Sequence, residues 1–172
     1  MQEDAHISSK FTDINAPNKW GNEYYCELGN GYYHSKKYEQ ALKCYRQSAE
    51  QGYAEAQCNL GYMYQYGYGV EQDYAEAVRL YRLSAEQGCS QAQCNLGYMY
   101  QYGYGVEQDY TEAVRLYRLS AEQGNSYAQF NLAEKYDNGE GVAKNLDEAR
   151  KWYQLAAAQG DKDAQEALTR LK

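Results

Sequence analysis

The residues best suited to bind a ligand are three asparagines that recur every 36 residues: Asn59, Asn95 and Asn131. A side-chain amide offers both donors and an acceptor, so a row of amides can pair with the backbone of an extended peptide. Tyr62 and Tyr98 each follow an asparagine by three residues and supply flat apolar area with a polar tip. This pattern predicts recognition of a peptide or protein segment.

Positions three and four apart share one face of a helix, so these residues belong to a single stripe that repeats along the chain. We expect the stripe to line a concave groove. Its candidate binding residues are Asn30, Cys58, Asn59, Tyr62, Gln65, Cys94, Asn95, Tyr98, Gln101, Phe130, Asn131 and Glu134. A structural alternative stays open for the asparagines, which would then hydrogen-bond a neighbouring helix and hold the repeats in register.

Catalytic chemistry has little support in the sequence. The two histidines, His6 and His34, lack a nearby acid and nucleophile at a recognisable spacing. The glycines of the GYGV segments punctuate a helix–helix turn, whereas a phosphate loop joins a strand to a helix. Cys89 and Cys94 do not have the paired spacing of a zinc site. We therefore expect no catalytic residue, no metal and no cofactor.

The elements that position the stripe come from a repeat. Residues 53–88 and 89–124 differ at four positions only, and residues 125–160 keep the same frame more loosely. A fixed period of this length indicates stacked repeats. Within a repeat, Gly67 is expected to end a first helix, and Asp73 to cap a second. The predicted fold is all-α: a right-handed α/α solenoid of about four helix–turn–helix repeats with a C-terminal capping helix at 161–172.

The second helices are expected to face solvent on their outer side. Their arginines alternate with glutamates at helical spacing, which is typical of a solvated charged face. The arginines in question are Arg79, Arg82, Arg115 and Arg118.

The GYGVEQDYAEA segment, the AQCNLGYMY helix before it and the 36-residue period resemble the Sel1-like repeat family, a relative of the tetratricopeptide repeats. The first repeat, residues 19–52, is similar to the shorter tetratricopeptide form, since its turn is four residues shorter and lacks the glycines. Residues 1–18 are interpreted as a polar leader and residues 19–172 as the repeat domain. Together with the candidate groove, the resemblance implies a non-catalytic scaffold or adaptor that binds a protein or peptide. The leader and the polar C-terminal helix favour a monomer.

Two other functions remain open at this stage. Some members of the cysteine-rich branch of the family have been assigned β-lactam binding or hydrolysis, so the resemblance also implies an enzyme as an alternative. Near-identical repeats also allow end-to-end stacking, which would make the chain a self-assembling structural protein.

Composition limits partners and location. The net charge is −7 and there is no run of lysine or arginine, which argues against a nucleic-acid partner. No apolar stretch approaches the length of a membrane span, and the first ten residues lack the apolar core of a secretory signal. The five cysteines are an odd number, and Cys26, Cys58 and Cys94 recur on helices expected about 8–10 Å apart. Disulfides need shorter Cα separations, so we expect reduced thiols in a cytoplasmic protein.

Overall fold

The computed structural model describes residues 21–171, so the predicted leader at 1–18 lies outside the described residues. Within residues 21–171 the chain forms nine α-helices and no strand. The helices are α1 (Asn22–His34), α2 (Tyr38–Ala49), α3 (Ala54–Tyr66), α4 (Tyr74–Glu86), α5 (Ser90–Tyr102), α6 (Tyr110–Glu122), α7 (Ser126–Asn138), α8 (Leu146–Ala158) and α9 (Lys162–Arg170). The all-α prediction is confirmed.

The helices stack in chain order. α1 packs on α2, α3 on α4, α5 on α6 and α7 on α8, and these pairs are the repeats. The second helix of each repeat also packs on the first helix of the next, and α9 packs on α8. Each unit therefore buries its apolar face against its neighbours in sequence, which is the arrangement of a solenoid.

The ends of the helices follow the signals in the sequence. The Asp73 side chain accepts a hydrogen bond from the Glu76 N–H at the start of α4, as Asp109 does for α6. Gly67 ends α3 with φ +70°, a left-handed conformation that a residue with a Cβ adopts only at a cost. The turn between α1 and α2 spans 35–37 and that between α3 and α4 spans 67–73, so the first turn is four residues shorter, as predicted.

Alanines and leucines supply much of the core, and one tyrosine in each second helix is buried among them. Tyr81 is fully buried, and its ring lies against the backbone of Gly61, where an added Cβ would come within 3.0 Å of the ring. The same arrangement recurs between Tyr117 and Gly97. A small residue opposite a large ring lets the two helices of a repeat approach closely, and the ring fills the space beside it.

Arginines of the second helices join successive repeats. The guanidinium groups donate to tyrosine hydroxyls one repeat further on: Arg46 to Tyr64 at 2.6 Å, Arg82 to Tyr100 at 3.1 Å, and Arg118 to Tyr136 at 2.7 Å. Arg82 and Arg118 were predicted to lie on a solvated face, and their spacing in the sequence does not indicate these bonds. The other two arginines behave as predicted, because each pairs with the glutamate three residues before it, Arg79 with Glu76 and Arg115 with Glu112.

Candidate functional site

An open cleft of about 310 Å³ crosses the first helices of three repeats. We call it the first-helix groove. Its lining residues come mainly from α1, α3 and α5, with one from α2: Asn30, Tyr33, His34, Tyr45, Cys58, Asn59, Tyr62, Gln91 and Asn95. The structure thus brings together five of the predicted binding residues, which are Asn30, Cys58, Asn59, Tyr62 and Asn95.

Asn59 is held by the preceding repeat. Its Nδ2 donates to Asn30 Oδ1 at 3.0 Å, and the Tyr45 hydroxyl donates to the same oxygen at 2.7 Å. Asn30 Nδ2 in turn lies 3.5 Å from a carboxylate oxygen of Glu55. This small network joins the first two repeats, so Asn59 serves the register role that the sequence left open.

Asn95 occupies the equivalent place one repeat later and has different partners. Its Oδ1 accepts from Gln91 within the same helix at 2.9 Å. Its Nδ2 lies 3.9 Å from Cys58 Sγ, and a thiol sulfur is a weak acceptor. Burial raises the pKa of the Tyr81 hydroxyl, and a hydrogen bond with the Asn95 side chain opposes this rise. Asn131, half-buried, makes no side-chain hydrogen bond to any residue between 21 and 171. The Asn131 amide is therefore unused within residues 21–171, and the Asn95 amide has only weak partners outside its own helix.

Tyrosines form two clusters beside the asparagines. The first cluster comprises Tyr33, Tyr38, Tyr62, Tyr66 and Tyr68, and the second comprises Tyr74, Tyr98, Tyr102 and Tyr104. The ring centroids of Tyr62 and Tyr66 are 4.6 Å apart, and those of Tyr98 and Tyr102 are equally close. Tyr66 and Tyr102 are each 49% exposed. The clusters offer rigid aromatic area to a ligand at the same position in successive repeats.

Gln65 and Gln101 were predicted to line the groove, and this is wrong. Both are buried, and their Oε1 atoms accept hydrogen bonds from the hydroxyls of Tyr81 at 2.6 Å and Tyr117 at 2.8 Å. A buried tyrosine hydroxyl needs a partner, and the glutamine provides it. Cys94 is likewise buried in the core, away from the groove lining.

Phe130 and Glu134 lie in a separate cleft of about 310 Å³ beside the capping helix α9. Phe130 packs against Tyr153, with ring centroids 5.6 Å apart. Burial raises the pKa of the Glu134 carboxyl, against a lowering effect of the nearby Lys135. The predicted binding stripe is therefore divided, with its first part in the groove and its last part under the cap.

Four residues of the groove were missed by the sequence analysis: Tyr33, His34, Tyr45 and Gln91. Gln91 precedes Asn95 by four residues, so helical spacing alone was a sufficient signal for it. Tyr45 belongs to α2, and its hydroxyl contacts the groove by donating a hydrogen bond to Asn30 Oδ1. No regular spacing in the sequence predicts this contact between two helices.

All five cysteines are free thiols. Burial raises the pKa of Cys26 to about 12 and that of Cys44 to about 11, so both stay protonated at neutral pH. Cys89, which is only partly buried, is the exception, because a hydrogen bond from Cys58 lowers its pKa to about 5. Among residues 21–171 no group of three or more potential metal ligands is found, and no helix is long and apolar enough to cross a membrane.

The family model of the Sel1 repeat matches residues 18–53, 54–89, 90–125 and 126–161. The chain belongs to the Sel1 repeat family. The first repeat is thus matched along with the other three in spite of its shorter turn. Repeats of this family generally serve as scaffolds for protein–protein interaction. No curated protein matches the chain.

Solved structures agree with the family. A protective antigen with an SLR fold from uropathogenic Escherichia coli is 38% identical, with a TM-score of 0.82, over 93% of this chain and 34% of its own. A Sel1 repeat protein from Oxalobacter formigenes is also 38% identical, with a TM-score of 0.80, over 84% of this chain and 57% of its own. The chain therefore spans about a third and somewhat over half of these two proteins.

Cysteine-rich protein B of Helicobacter pylori is 22% identical, with a TM-score of 0.59, over 74% of this chain and 96% of its own. At that identity the likeness concerns the fold alone. It does not carry the chemistry of the cysteine-rich branch to this chain.

Proposed function

We propose that this protein is a non-catalytic, monomeric scaffold or adaptor that binds a peptide or protein segment along the exposed side of its first helices. The observation that carries the proposal is the unused hydrogen-bonding capacity of Asn95 and Asn131. Every buried side-chain nitrogen or oxygen in residues 21–171 has a partner. The amides left over therefore lie where a ligand can reach them.

The rest of the groove suits an extended segment. The Asn95 and Asn131 amides recur at repeat spacing and can pair with peptide groups a few residues apart along an extended backbone. The tyrosine clusters beside them provide apolar contact at little cost in conformational entropy, since a tyrosine side chain has few rotatable bonds. The outer side of the second helices is less suitable, because its arginines already pair with glutamates and with tyrosines.

The proposal is tested by selecting peptides from a random display library against the whole chain and measuring their affinity for variants. Replacing the two asparagines with unused capacity, Asn95→Ala with Asn131→Ala, should weaken binding at least about tenfold, the loss of one to two net hydrogen bonds. The matched control, Arg79→Ala with Arg115→Ala, should leave affinity unchanged. If the arginine pair is needed and the asparagine pair is not, the site lies on the second helices.

We also propose that the protein works in a reducing compartment, as in the cytoplasm. Four of its five thiols are buried at positions that serve the packing of the repeats, and none of the five forms a disulfide. Thiol titration of freshly purified protein in denaturant without reductant should count close to five free thiols. Recovery of one thiol would mean two disulfides and would contradict this proposal.

A further inference from the structure

Two cysteines meet at the junction between the second and third repeats. Cys58 lies within α3 and is 3% exposed, and Cys89 is the partly exposed residue directly before α5. The Cys58 thiol donates a hydrogen bond to the Cys89 sulfur. Both residues also line one open cleft of about 610 Å³, so a small molecule that enters this cleft meets the pair.

This is the only junction between the described repeats where the sequence supplies two cysteines. The residues at the places of Cys58 and Cys89 are Cys26 with Tyr53 at the first junction, Cys94 with Asn125 at the third, and Phe130 with Asp161 at the last. The helix segments 56–66 and 92–102, which contain Cys58 and Cys94, are identical in sequence. Cys94 is therefore a matched thiol without a second cysteine at its junction.

The place of Cys89 at the start of its helix is suited to an anion. At the equivalent places the side chains of Asn125 and Asp161 accept hydrogen bonds from backbone N–H groups at 3.0 Å and 2.9 Å. Asp161 carries a negative charge there, which the dipole of a helix favours at its N-terminus. The hydrogen bond from Cys58, and then the backbone N–H of Ala92, lower the pKa of Cys89 against the raising effect of burial.

The two thiols therefore differ in reactivity. The hydrogen bond that favours the Cys89 thiolate raises the pKa of Cys58, and burial raises it further. Because the thiolate is the nucleophilic form, Cys89 is the reactive member and Cys58 is a protonated thiol held beside it. An accessible thiolate next to a second, resolving thiol is the arrangement of an oxidisable cysteine pair. In a reducing compartment such a disulfide is transient.

The charge around the pair favours a neutral oxidant. Among residues 21–171, Glu55 is the one acidic side chain that lines the cleft, and no lysine or arginine lines it. Its carboxylate and the Cys89 thiolate both repel an anion such as glutathione disulfide. A small hydroperoxide carries no charge and meets no such barrier.

We propose that Cys58 and Cys89 are a peroxide-sensitive thiol pair that closes reversibly to a disulfide between the second and third repeats. The Cys89 thiolate attacks an oxygen of the hydroperoxide: an S–O bond forms, the O–O bond breaks, and the leaving hydroxide or alkoxide takes up a proton. Cys89 is thereby oxidised by two electrons to a sulfenic acid, and the peroxide is reduced.

The second step uses the neighbouring thiol. The Cys58 sulfur attacks the Cys89 sulfur, an S–S bond forms, the S–O bond breaks, and the hydroxide leaves as water with the Cys58 proton. With hydrogen peroxide, two thiols thus give one disulfide and two waters. A dithiol reductant restores both thiols by exchange and becomes a disulfide itself. This inference goes beyond the scaffold proposal and does not depend on it.

The test is oxidation of the whole reduced chain followed by peptide mapping. Hydrogen peroxide is added in slight excess, the remaining thiols are blocked, and the tryptic peptides are analysed by mass spectrometry. We expect one disulfide between peptides 47–79 and 83–115 and three remaining thiols. Because the second peptide contains both Cys89 and Cys94, the Cys94→Ala variant must retain this disulfide. Linkage through Cys94, or loss of thiols without this disulfide, would overturn the inference.

Matched variants assign the two roles. Cys89→Asn copies the residue at the next junction and should slow the loss of thiols at least about tenfold, since the other four are buried. Cys58→Ala should leave Cys89 as a sulfenic acid that dimedone captures. Cys94→Ala makes the same change in an identical helix segment and should oxidise like the unaltered chain. Unchanged oxidation of Cys89→Asn, or the same product from both alanine variants, would contradict the inference.

A second reagent tests the class of oxidant. At equal concentration and neutral pH, glutathione disulfide should form the Cys58–Cys89 disulfide more slowly than hydrogen peroxide does, because of its negative charge. A disulfide that forms with glutathione disulfide but not with hydrogen peroxide would indicate thiol exchange and overturn the proposed reaction.

Discussion

The two long sides of this solenoid are built from the same repeats and differ in how far their polar groups are satisfied. On the second helices each repeated arginine has a partner, such as Glu76 for Arg79 at 2.7 Å. On the first helices Asn59 is paired with Asn30, but Asn95 and Asn131 are left with weak partners or none among residues 21–171. Repetition alone therefore does not decide whether a polar side chain is paired, because its neighbours in the next repeat do.

The separation of the two sides depends on a rigid turn that keeps the two helices of a repeat in a fixed orientation. Of the substitutions considered, one that disturbs this turn should lower stability the most. Gly105 has φ +68°, and an added Cβ would lie 2.4 Å from the carbonyl carbon and oxygen of Tyr74. Gly103 has φ +70°, but the nearest atom to its Cβ would be 3.4 Å away. We expect Gly105→Ala to lower the free energy of unfolding by about 3 kcal/mol and Gly103→Ala by about 1 kcal/mol.

Chemical denaturation of the two glycine variants measures this difference. Equal losses would show that the left-handed backbone alone matters and that the turn does not rest tightly on Tyr74. If neither variant loses stability, the turn is not rigid, and the account of two distinct faces is contradicted.

A second variant sharpens the boundary between groove and core. Tyr81→Phe removes the donor to Gln65 Oε1 and leaves a buried oxygen without a partner, which should cost roughly 1–3 kcal/mol of stability. Binding of a groove ligand should be unchanged, because Gln65 faces the core. Thermal denaturation and a binding titration of the same preparation check both statements. Loss of affinity with unchanged stability would indicate that Gln65 contacts the ligand after all.

The smallest expected effect separates the two asparagines. Asn59→Ala removes a hydrogen bond between repeats and should cost about 0.5–1.5 kcal/mol. Asn95→Ala removes a contact within its helix, a weak contact to sulfur and a contact with the Tyr81 hydroxyl, which keeps Gln65 as its partner. Its cost should therefore stay within about 0.5 kcal/mol. Asn95→Ala should nevertheless weaken ligand binding. Equal destabilisation by the two variants, with no effect on binding, would give Asn95 the register role as well.

Most of the fold was predictable from the sequence because the signals are local and repeated. The glycine stop at Gly67, the cap at Asp73 and the apolar spacing of α3 all fall within a few residues of one another. The shorter first turn was also predictable, because residues 19–52 align with the later repeats only with a gap of four residues. Three near-copies of one pattern remove the ambiguity that a single copy would leave.

The site was predictable only in part, because its details depend on contacts between repeats. Gln65 and Asn59 both lie on polar positions of α3, and the sequence does not tell that a tyrosine hydroxyl of α4 draws the first into the core. Asn59 and Asn95 are identical in the sequence pattern, yet one meets Asn30 and the other Gln91. The first difference arises from the tyrosine that the neighbouring helix presents, and helical spacing does not contain it. The second arises because Asn30 of the preceding repeat meets Asn59, whereas Asn95 pairs with Gln91 of its own helix.

The most direct test of the binding face is an NMR titration of the isotope-labelled chain with a peptide selected against it. The side-chain signals of both faces are followed in one experiment: the Nδ2 amides of Asn95 and Asn131, and the Nε–H groups of Arg79 and Arg115, each assigned through its own variant. We predict that the amide signals shift as the peptide saturates the protein while the arginine signals stay in place. Shifts of the arginine signals with unmoved asparagine amides would contradict the account.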